Sequence, residues 1–202
     1  MKSEVLPSLI KKFSNLAKEI ENGKFGPVNF FGRISRPIKF TAEILSWYNF
    51  VLGTKYYKPN PDSKGAFKDH QNRIASFIRT CFIEILSAID YQSKEQLRTT
   101  TKPEFTKLKE KLEAGKYVIV SKIVATASNG NLITDEEAKY WNYSIYIRNC
   151  LVHNAGRTDK DFETSIGGID VKKNEELEGK HAGFYELIEK TVSLYSNWIK
   201  IF

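Results

Sequence analysis

Apolar residues recur every three or four positions along several stretches of the chain, which is the spacing of amphipathic helices. Residues 3–21 form the first of these stretches, with the apolar positions Leu6, Leu9, Ile10, Phe13, Leu16, Ala17 and Ile20. Residues 66–92 form the clearest one, with Ile74, Phe77, Ile78, Cys81, Phe82, Ile85 and Ile89. Residues 182–202 form the last, with Phe184, Leu187, Ile188, Tyr195, Trp198 and Phe202. These patterns predict an all-α fold in which the helices pack as a bundle.

Glycine and proline mark the predicted breaks between the helices. Residues 23–40 contain three glycines and two prolines and are predicted to be a loop, which a short helix over 41–52 follows. A second loop is predicted over 56–65, and helical structure resumes after Pro103. Residues 116–127 are rich in β-branched side chains, so the pattern does not decide between strand and helix, although a helical bundle favours helix there. A short irregular or hairpin segment is predicted over 165–180, before the last helix.

One further helix carries the chemically unusual residues. Thr134 and Glu137 have the spacing of a capping box, and Gly156 stands where a helix-terminating glycine is expected. On a helical wheel, one broad apolar arc contains Ala138, Trp141, Ile145, Ile147, Leu151 and Val152. Arg148 lies inside that arc, and a line of hydrogen-bonding side chains runs beside it: Asn142, Tyr146, Asn149 and His153.

A guanidinium is always charged, so Arg148 on an apolar arc needs a counter-ion or an opening to a cleft or interface. The structural alternative is an ion pair with an acid on a neighbouring helix, for example Glu84. His153, taken alone, is more often a partly buried histidine with satisfied hydrogen bonds than a catalyst. Spacing alone does not choose between these interpretations.

The run RNCLVHNAGRTDKDF, residues 148–162, resembles the signature of the HEPN superfamily (higher eukaryotes and prokaryotes nucleotide-binding domain). That signature is an arginine, a polar residue, about three more residues and a histidine at the end of a bundle helix, and here Arg148, Asn149 and His153 match it. The run through Asn154 and Gly156 is also similar to many members. The resemblance implies one HEPN-like antiparallel helical domain over residues 1–202, with 66–202 as the bundle core and 1–60 as an N-terminal helical extension.

The family resemblance also implies an activity, that of metal-independent endoribonucleases acting as toxins or antiphage effectors, whose arginine and histidine meet at the cleft of a homodimer. The residue types suit cleavage of RNA through its 2′-OH, since histidine transfers protons near neutral pH and arginine stabilises phosphoryl charge. Arg148, His153 and Asn149 are therefore the predicted catalytic residues. Tyr146, Asn142, Asn154 and Arg157 are the predicted substrate-binding residues, and an antitoxin or a nucleotidyltransferase is a predicted partner.

A different class of function uses the same residues without catalysis. A HEPN-like module could bind a nucleotide, RNA or a partner nucleotidyltransferase or antitoxin in the same cleft, and a purely structural helical scaffold is a third interpretation. No phosphate-binding loop, nucleophile elbow or metal-binding motif is found in the sequence, and the three histidines are scattered, so no cofactor and no metal are predicted.

Charge makes an anionic partner such as RNA plausible, because the chain has 31 Lys and Arg against 24 Asp and Glu, a net charge of +7. The excess is local: residues 94–122 hold eight basic residues against four acids, whereas 159–189 hold nine acids against four lysines. No apolar run is long enough for a membrane span or signal peptide, so the expected location is the cytoplasm, with reduced cysteines and no membrane contact.

Residues 24–40 combine four basic side chains with phenylalanines and contain no acid. Lys24, Arg33, Arg36 and Lys39 alternate with Phe25, Phe30, Phe31 and Phe40, a composition that a surface for stacking single-stranded nucleic acid requires. The alternative, which we favour, is that the phenylalanines pack onto the bundle.

Overall fold

The structure is a computed structural model, which describes residues 5–54, 63–154, 156–161, 169, 171–174, 176–177 and 181–202. These residues form seven α-helices and one short 3-10 helix, and none of them forms a strand. The helices are α1 (Val5–Glu21), α2 (Val28–Leu52), α3 (Ser63–Thr99), α4 (Thr106–Glu113), α5 (Val120–Asn129), α6 (Asp135–His153) and α7 (His181–Trp198), with the 3-10 turn at Pro103–Phe105. The predicted all-α fold is confirmed.

The predicted loop over 23–40 is wrong for most of its length, because α2 begins at Val28 and continues through Pro37 to Leu52. A proline inside a helix costs about 3 kcal/mol. Here the cost is offset by a buried stripe at helical spacing, where each large apolar side chain contributes roughly 1.5–3 kcal/mol. The stripe consists of Phe31, Ile34, Ile38, Ala42, Leu45 and Tyr48. Tertiary burial therefore overrides the local helix-breaking signal.

The phenylalanines of this region mostly pack onto the bundle, as the favoured alternative predicted. Phe31 is buried, and Phe25 and Phe30 are half-buried against the core. Phe40 is exposed, with two more aromatic side chains, Trp47 and Phe50, along the same helix. The residues do not form a loop that gathers its aromatic rings into one stacking surface.

The segment from 116 to 127 divides into two conformations. Residues 116–119 are not helical, Ile119 has extended backbone angles, and only from Val120 onward does the chain become helical, as α5. Val118 is buried, whereas Tyr117 and Ile119 on either side of it are exposed. The prediction of helix across the whole segment is thus wrong for its first four residues.

The predicted loop at 56–65 lies largely outside the described residues. The irregular or hairpin segment predicted over 165–180 also lies largely outside the described residues, of which Glu176 forms an isolated antiparallel bridge with Arg157. The N–H of Leu177 donates to the carbonyl of Gly156 at 2.8 Å, and the N–H of Asn174 donates to the carbonyl of Thr158 at 2.8 Å.

A single cluster of buried apolar side chains runs through α1, α2, α3, α5, α6 and α7. α1 packs on α2, α2 on α3, and α3 on both α6 and α7. Cys81 and Cys150 are free and buried in this cluster, and burial raises the pKa of the Cys81 thiol to about 12. Among the described helices, none is long and apolar enough to cross a membrane.

Both ends of α6 form as the sequence predicts. The Thr134 hydroxyl accepts from the N–H of Glu137 at 3.1 Å, and the Glu137 carboxylate accepts from the N–H of Thr134 at 2.9 Å. At the other end, Gly156 has a φ of +81° and its N–H donates to the carbonyl of Cys150 at 2.8 Å. A left-handed backbone of this kind favours glycine. His153 therefore lies in the last turn of α6.

We predict that Thr134→Ala lowers the free energy of unfolding by about 1 kcal/mol, because it removes the side-chain acceptor for the first turn of α6. Thr134→Ser keeps the hydroxyl and should remain close to the wild type. Urea denaturation of the three proteins measures the difference. Equal stability of Thr134→Ala and wild type would mean that the capping box does not stabilise α6.

Candidate functional site

The buried face of α6 is not the one that the helical wheel predicted. Ala138, Trp141 and Ile147 are buried as expected, but Val152 is 42% exposed. The rest of the buried face consists of Tyr140, Tyr143, Ser144 and Cys150. The tyrosines can be buried because their hydroxyls have partners: Tyr140 donates to the carbonyl of Leu187 at 2.7 Å, and Tyr143 donates to the carbonyl of Ile169. Arg148 consequently lies at the edge of the buried face rather than in its middle.

At this edge of α6 a cleft of about 440 Å³ opens between α3, α5 and α6. Its floor and walls include apolar side chains, among them Leu86, Ile89, Trp141 and Ile145. The polar residues that line it are Asp90, Ser121, Arg148, Asn149, His153 and Asn154. Tyr117 and Ile119 form part of the wall that comes from the segment before α5. Four residues of the predicted site, Arg148, Asn149, His153 and Asn154, are therefore brought together here.

Arg148 is half-buried and is held by neutral groups. One terminal nitrogen donates to Oδ1 of Asn149 at 3.0 Å, and the other donates to Oγ of Ser87 at 3.3 Å. The Ser87 hydroxyl donates in turn to the carbonyl of Ile83 at 2.8 Å, which leaves its lone pairs for the guanidinium. The sequence could not indicate Ser87, because its role depends on how α3 packs against α6.

No ion pair between described residues involves Arg148, and the predicted alternative of a pair with Glu84 is not observed. A guanidinium that is partly removed from water without a counter-ion loses solvation that two neutral acceptors replace only in part. The cleft therefore presents a positive charge that an anionic ligand would neutralise.

Of the described residues that line the cleft, Asp90 is the one that carries a carboxylate. Lys94 neutralises it. Lys94 Nζ lies 2.8 Å from Oδ2 of Asp90 in a partly buried i, i+4 pair. The other oxygen, Oδ1, is buried and has no hydrogen-bond partner within the described part of the protein. Because Lys94 balances Asp90, the positive charge of Arg148 is left to dominate the cleft.

His153 and Asn154 are both exposed at the mouth of the cleft. The side-chain oxygen of Asn149, one of the predicted catalytic residues, accepts from Arg148. Among the side chains that the structure describes, none is recorded in a hydrogen bond with His153. Asn149 thus positions the guanidinium, and the imidazole is left open to a ligand or to a second chain.

Tyr146 does not line the cleft. Its hydroxyl donates to Oδ1 of Asp159 at 2.6 Å and accepts from the N–H groups of Asp159 and Lys160 at 2.8 and 3.1 Å. The ammonium of Lys160 also lies 4.6 Å from the centre of its ring. Burial, reinforced by the Asp159 carboxylate, raises the pKa of Tyr146. The residue fixes the chain that follows α6, a role that helical spacing could not indicate.

Asn142 and Arg157, the other two predicted substrate-binding residues, also lie outside the residues that line the cleft. Asn142 is exposed on α6, and the Arg157 guanidinium lies 3.9 Å from the Glu176 carboxylate with most of its side chain in solvent. Within the described ranges, no group of three or more His, Cys, Asp or Glu side chains is placed to hold a metal ion.

The chain matches no protein-family model, no curated protein and no solved structure.

We predict that Tyr146→Phe destabilises the protein by about 1 kcal/mol, because the hydroxyl that two N–H groups and a carboxylate share is removed. Amide exchange at Asp159 and Lys160 should become faster. Tyr91→Phe, which changes an exposed tyrosine on α3, serves as the control and should change neither quantity. A Tyr146→Phe protein with unchanged stability and weakened RNA binding would instead support the substrate-binding role predicted from the sequence.

Proposed function

We propose that the protein is an endoribonuclease of HEPN type that cleaves RNA at the cleft between α3, α5 and α6. The observation that carries the proposal is the joint position of Arg148 and His153 on this cleft, where the guanidinium has no described carboxylate as counter-ion. An RNA phosphate would supply the missing negative charge. The same residues are those that resemble the family signature.

Cleavage of RNA through its 2′-OH needs a group that transfers protons and a cation that stabilises phosphoryl charge. The 2′-OH of the substrate attacks the adjacent phosphorus and loses its proton, while the bond from phosphorus to the 5′-oxygen breaks and that oxygen gains a proton. The products are a 2′,3′-cyclic phosphate and a 5′-hydroxyl, so atoms and charge balance without a metal ion. The imidazole of His153 transfers a proton, and Arg148 stabilises the charge on the phosphoryl oxygens.

Ser87 and Asn149 act as positioning residues in this proposal. They hold both terminal nitrogens of Arg148 from two different helices, which fixes the plane of the guanidinium before a ligand binds. A preorganised donor stabilises developing charge without reorganisation during the reaction. Asn154, exposed beside His153, is a candidate contact for the sugar or phosphate of the same nucleotide.

The proposal includes a homodimer. The reaction has two proton transfers, at the 2′-oxygen and at the 5′-oxygen, and the cleft of one chain is lined by one histidine among the described residues. A second copy that places its His153 at the same cleft would supply the other imidazole. An antitoxin or a nucleotidyltransferase that covers this cleft would then restrain the activity, as expected of a toxin or an antiphage effector.

We predict that purified protein cleaves RNA in excess chelator and leaves 2′,3′-cyclic phosphate ends. Arg148→Ala and His153→Ala should each reduce the rate by about a hundredfold to ten-thousandfold. The melting temperature should be unchanged, because His153 is exposed and Arg148 contacts neutral groups. Cleavage assays and melting curves of the same preparations provide both values.

Two control variants sharpen this experiment. Arg73→Ala removes an exposed arginine of α3 that does not line the cleft, and it should cleave like the wild type. Ser87→Ala keeps the charge of Arg148 but removes one of its acceptors, so it should lose less activity than Arg148→Ala.

A wild type that binds RNA but cuts none would favour a non-catalytic binding module. Cleavage that appears only after a metal ion is added would contradict the mechanism.

We predict that the protein is a dimer at micromolar concentration, measurable by light scattering. Mixing Arg148→Ala with His153→Ala should not restore cleavage, since a mixed dimer holds only one His153 and neither cleft then has Arg148 together with two imidazoles. A monomeric protein that cleaves RNA would show that one chain is sufficient and would contradict the dimeric site.

A further inference from the structure

Tyr117 lines the cleft, and 78% of its surface is accessible. It belongs to the non-helical segment 116–119, in which Val118 is buried in the core. Tyr117 and Ile119, on either side of Val118, are exposed and line the cleft. The buried Val118 thus fixes the backbone next to an aromatic ring that stands in solvent.

One side of the Tyr117 ring already has a partner. The ammonium of Lys94 lies 4.7 Å from the ring centre, and the same ammonium pairs with Asp90 in the cleft. A cation that approaches an aromatic ring at this distance restrains its orientation. The pair with Asp90 fixes Lys94, so the ring is positioned from α3 as well as from its own segment.

Charge in the sequence around Tyr117 favours a polyanion. The stretch 94–122, which contains both Lys94 and Tyr117, has eight Lys and Arg against four Glu. Lys116 and Lys122 are exposed on either side of Tyr117 and Ile119. A polyanion that binds Arg148 and extends along this wall would therefore contact the Tyr117 ring and further positive charges.

We propose that Tyr117 is a stacking platform for one base of single-stranded RNA whose neighbouring phosphate binds Arg148. The inference rests on the proposed RNA cleft and names the form of RNA that the cleft accepts. Stacking on an aromatic side chain requires a base whose face is free, which a single strand provides and a duplex does not. Such stacking tolerates any base, so the platform selects unpaired structure more strongly than sequence.

The test measures binding separately from cleavage. The probe is a short, fluorescently labelled single strand of 2′-O-methyl RNA, which cannot be cleaved through a 2′-OH, and its affinity is measured by anisotropy. Tyr117→Ala should weaken binding by about 5-fold to 150-fold, the range for one stacked base. Tyr117→Phe keeps the ring and should bind like the wild type.

Tyr91→Ala is the matched control, because Tyr91 is exposed on α3 with the Arg33 guanidinium 4.1 Å from its ring centre, but it does not line the cleft. It should bind the single strand like the wild type. A duplex of the same sequence should bind the wild type more weakly than the single strand does, and Tyr117→Ala should change duplex binding little. Melting curves of the two Tyr117 variants should coincide with that of the wild type, since the Tyr117 ring is largely in solvent.

The outcomes separate this inference from the proposed nuclease. If the wild type cleaves RNA but Tyr117→Ala binds the single strand as tightly as the wild type, the platform is wrong and the nuclease stands. If Tyr117→Ala weakens binding but no protein cleaves RNA, the platform stands and the nuclease is wrong. Equal affinity for single strand and duplex, or no binding of either, overturns the platform.

Discussion

The guanidinium of Arg148 is the constraint on which the functional account depends. It is partly removed from water, and in the described part of the protein it is held by a serine and an asparagine and by no carboxylate. An acid at that position would have made Arg148 a structural residue and neutralised the cleft. The neutral acceptors orient the charge without cancelling it. Because the only carboxylate among the described lining residues is paired with Lys94, the cleft keeps a positive potential that favours an anionic ligand.

The core beneath the cleft fixes these positions. The rings of Trp141 and Trp198 lie 5.1 Å apart between α6 and α7, and the indole N–H of Trp198 donates to Ser93 of α3 at 2.7 Å. Three helices are thereby joined directly under the site, and Trp141 also contributes to the cleft wall. Such contacts leave α6 little freedom to rotate, since a rotation would break the hydrogen bonds of its buried tyrosines. The edge position of Arg148 therefore follows from the packing of residues that take no part in the proposed chemistry.

The sequence predicted those features that depend on local signals. The capping box of Thr134 and Glu137 and the left-handed Gly156 delimit α6 by short-range hydrogen bonds, so both ends were predictable. Features that depend on tertiary burial were not. Pro37 was predicted to lie in a loop but lies in a helix with a long buried stripe, and Tyr140 and Tyr143, which the predicted apolar arc did not include, are buried with satisfied hydroxyls. Tyr117 was missed because a helix was expected where the chain is not helical, and the partners of Tyr146 lie more than ten positions away in the sequence.

The most direct test follows the Arg148 side chain itself during binding. The chain has seven arginines, so its Nε–H resonances can be resolved by NMR and assigned with single Arg→Lys variants. Titration with a single strand of 2′-O-methyl RNA should shift the Arg148 resonance at low ratios, before that of Arg73, because an RNA phosphate replaces a missing counter-ion. The account would be contradicted if the RNA bound while the Arg148 resonance stayed unchanged, since the cleft would then not be where the phosphate binds.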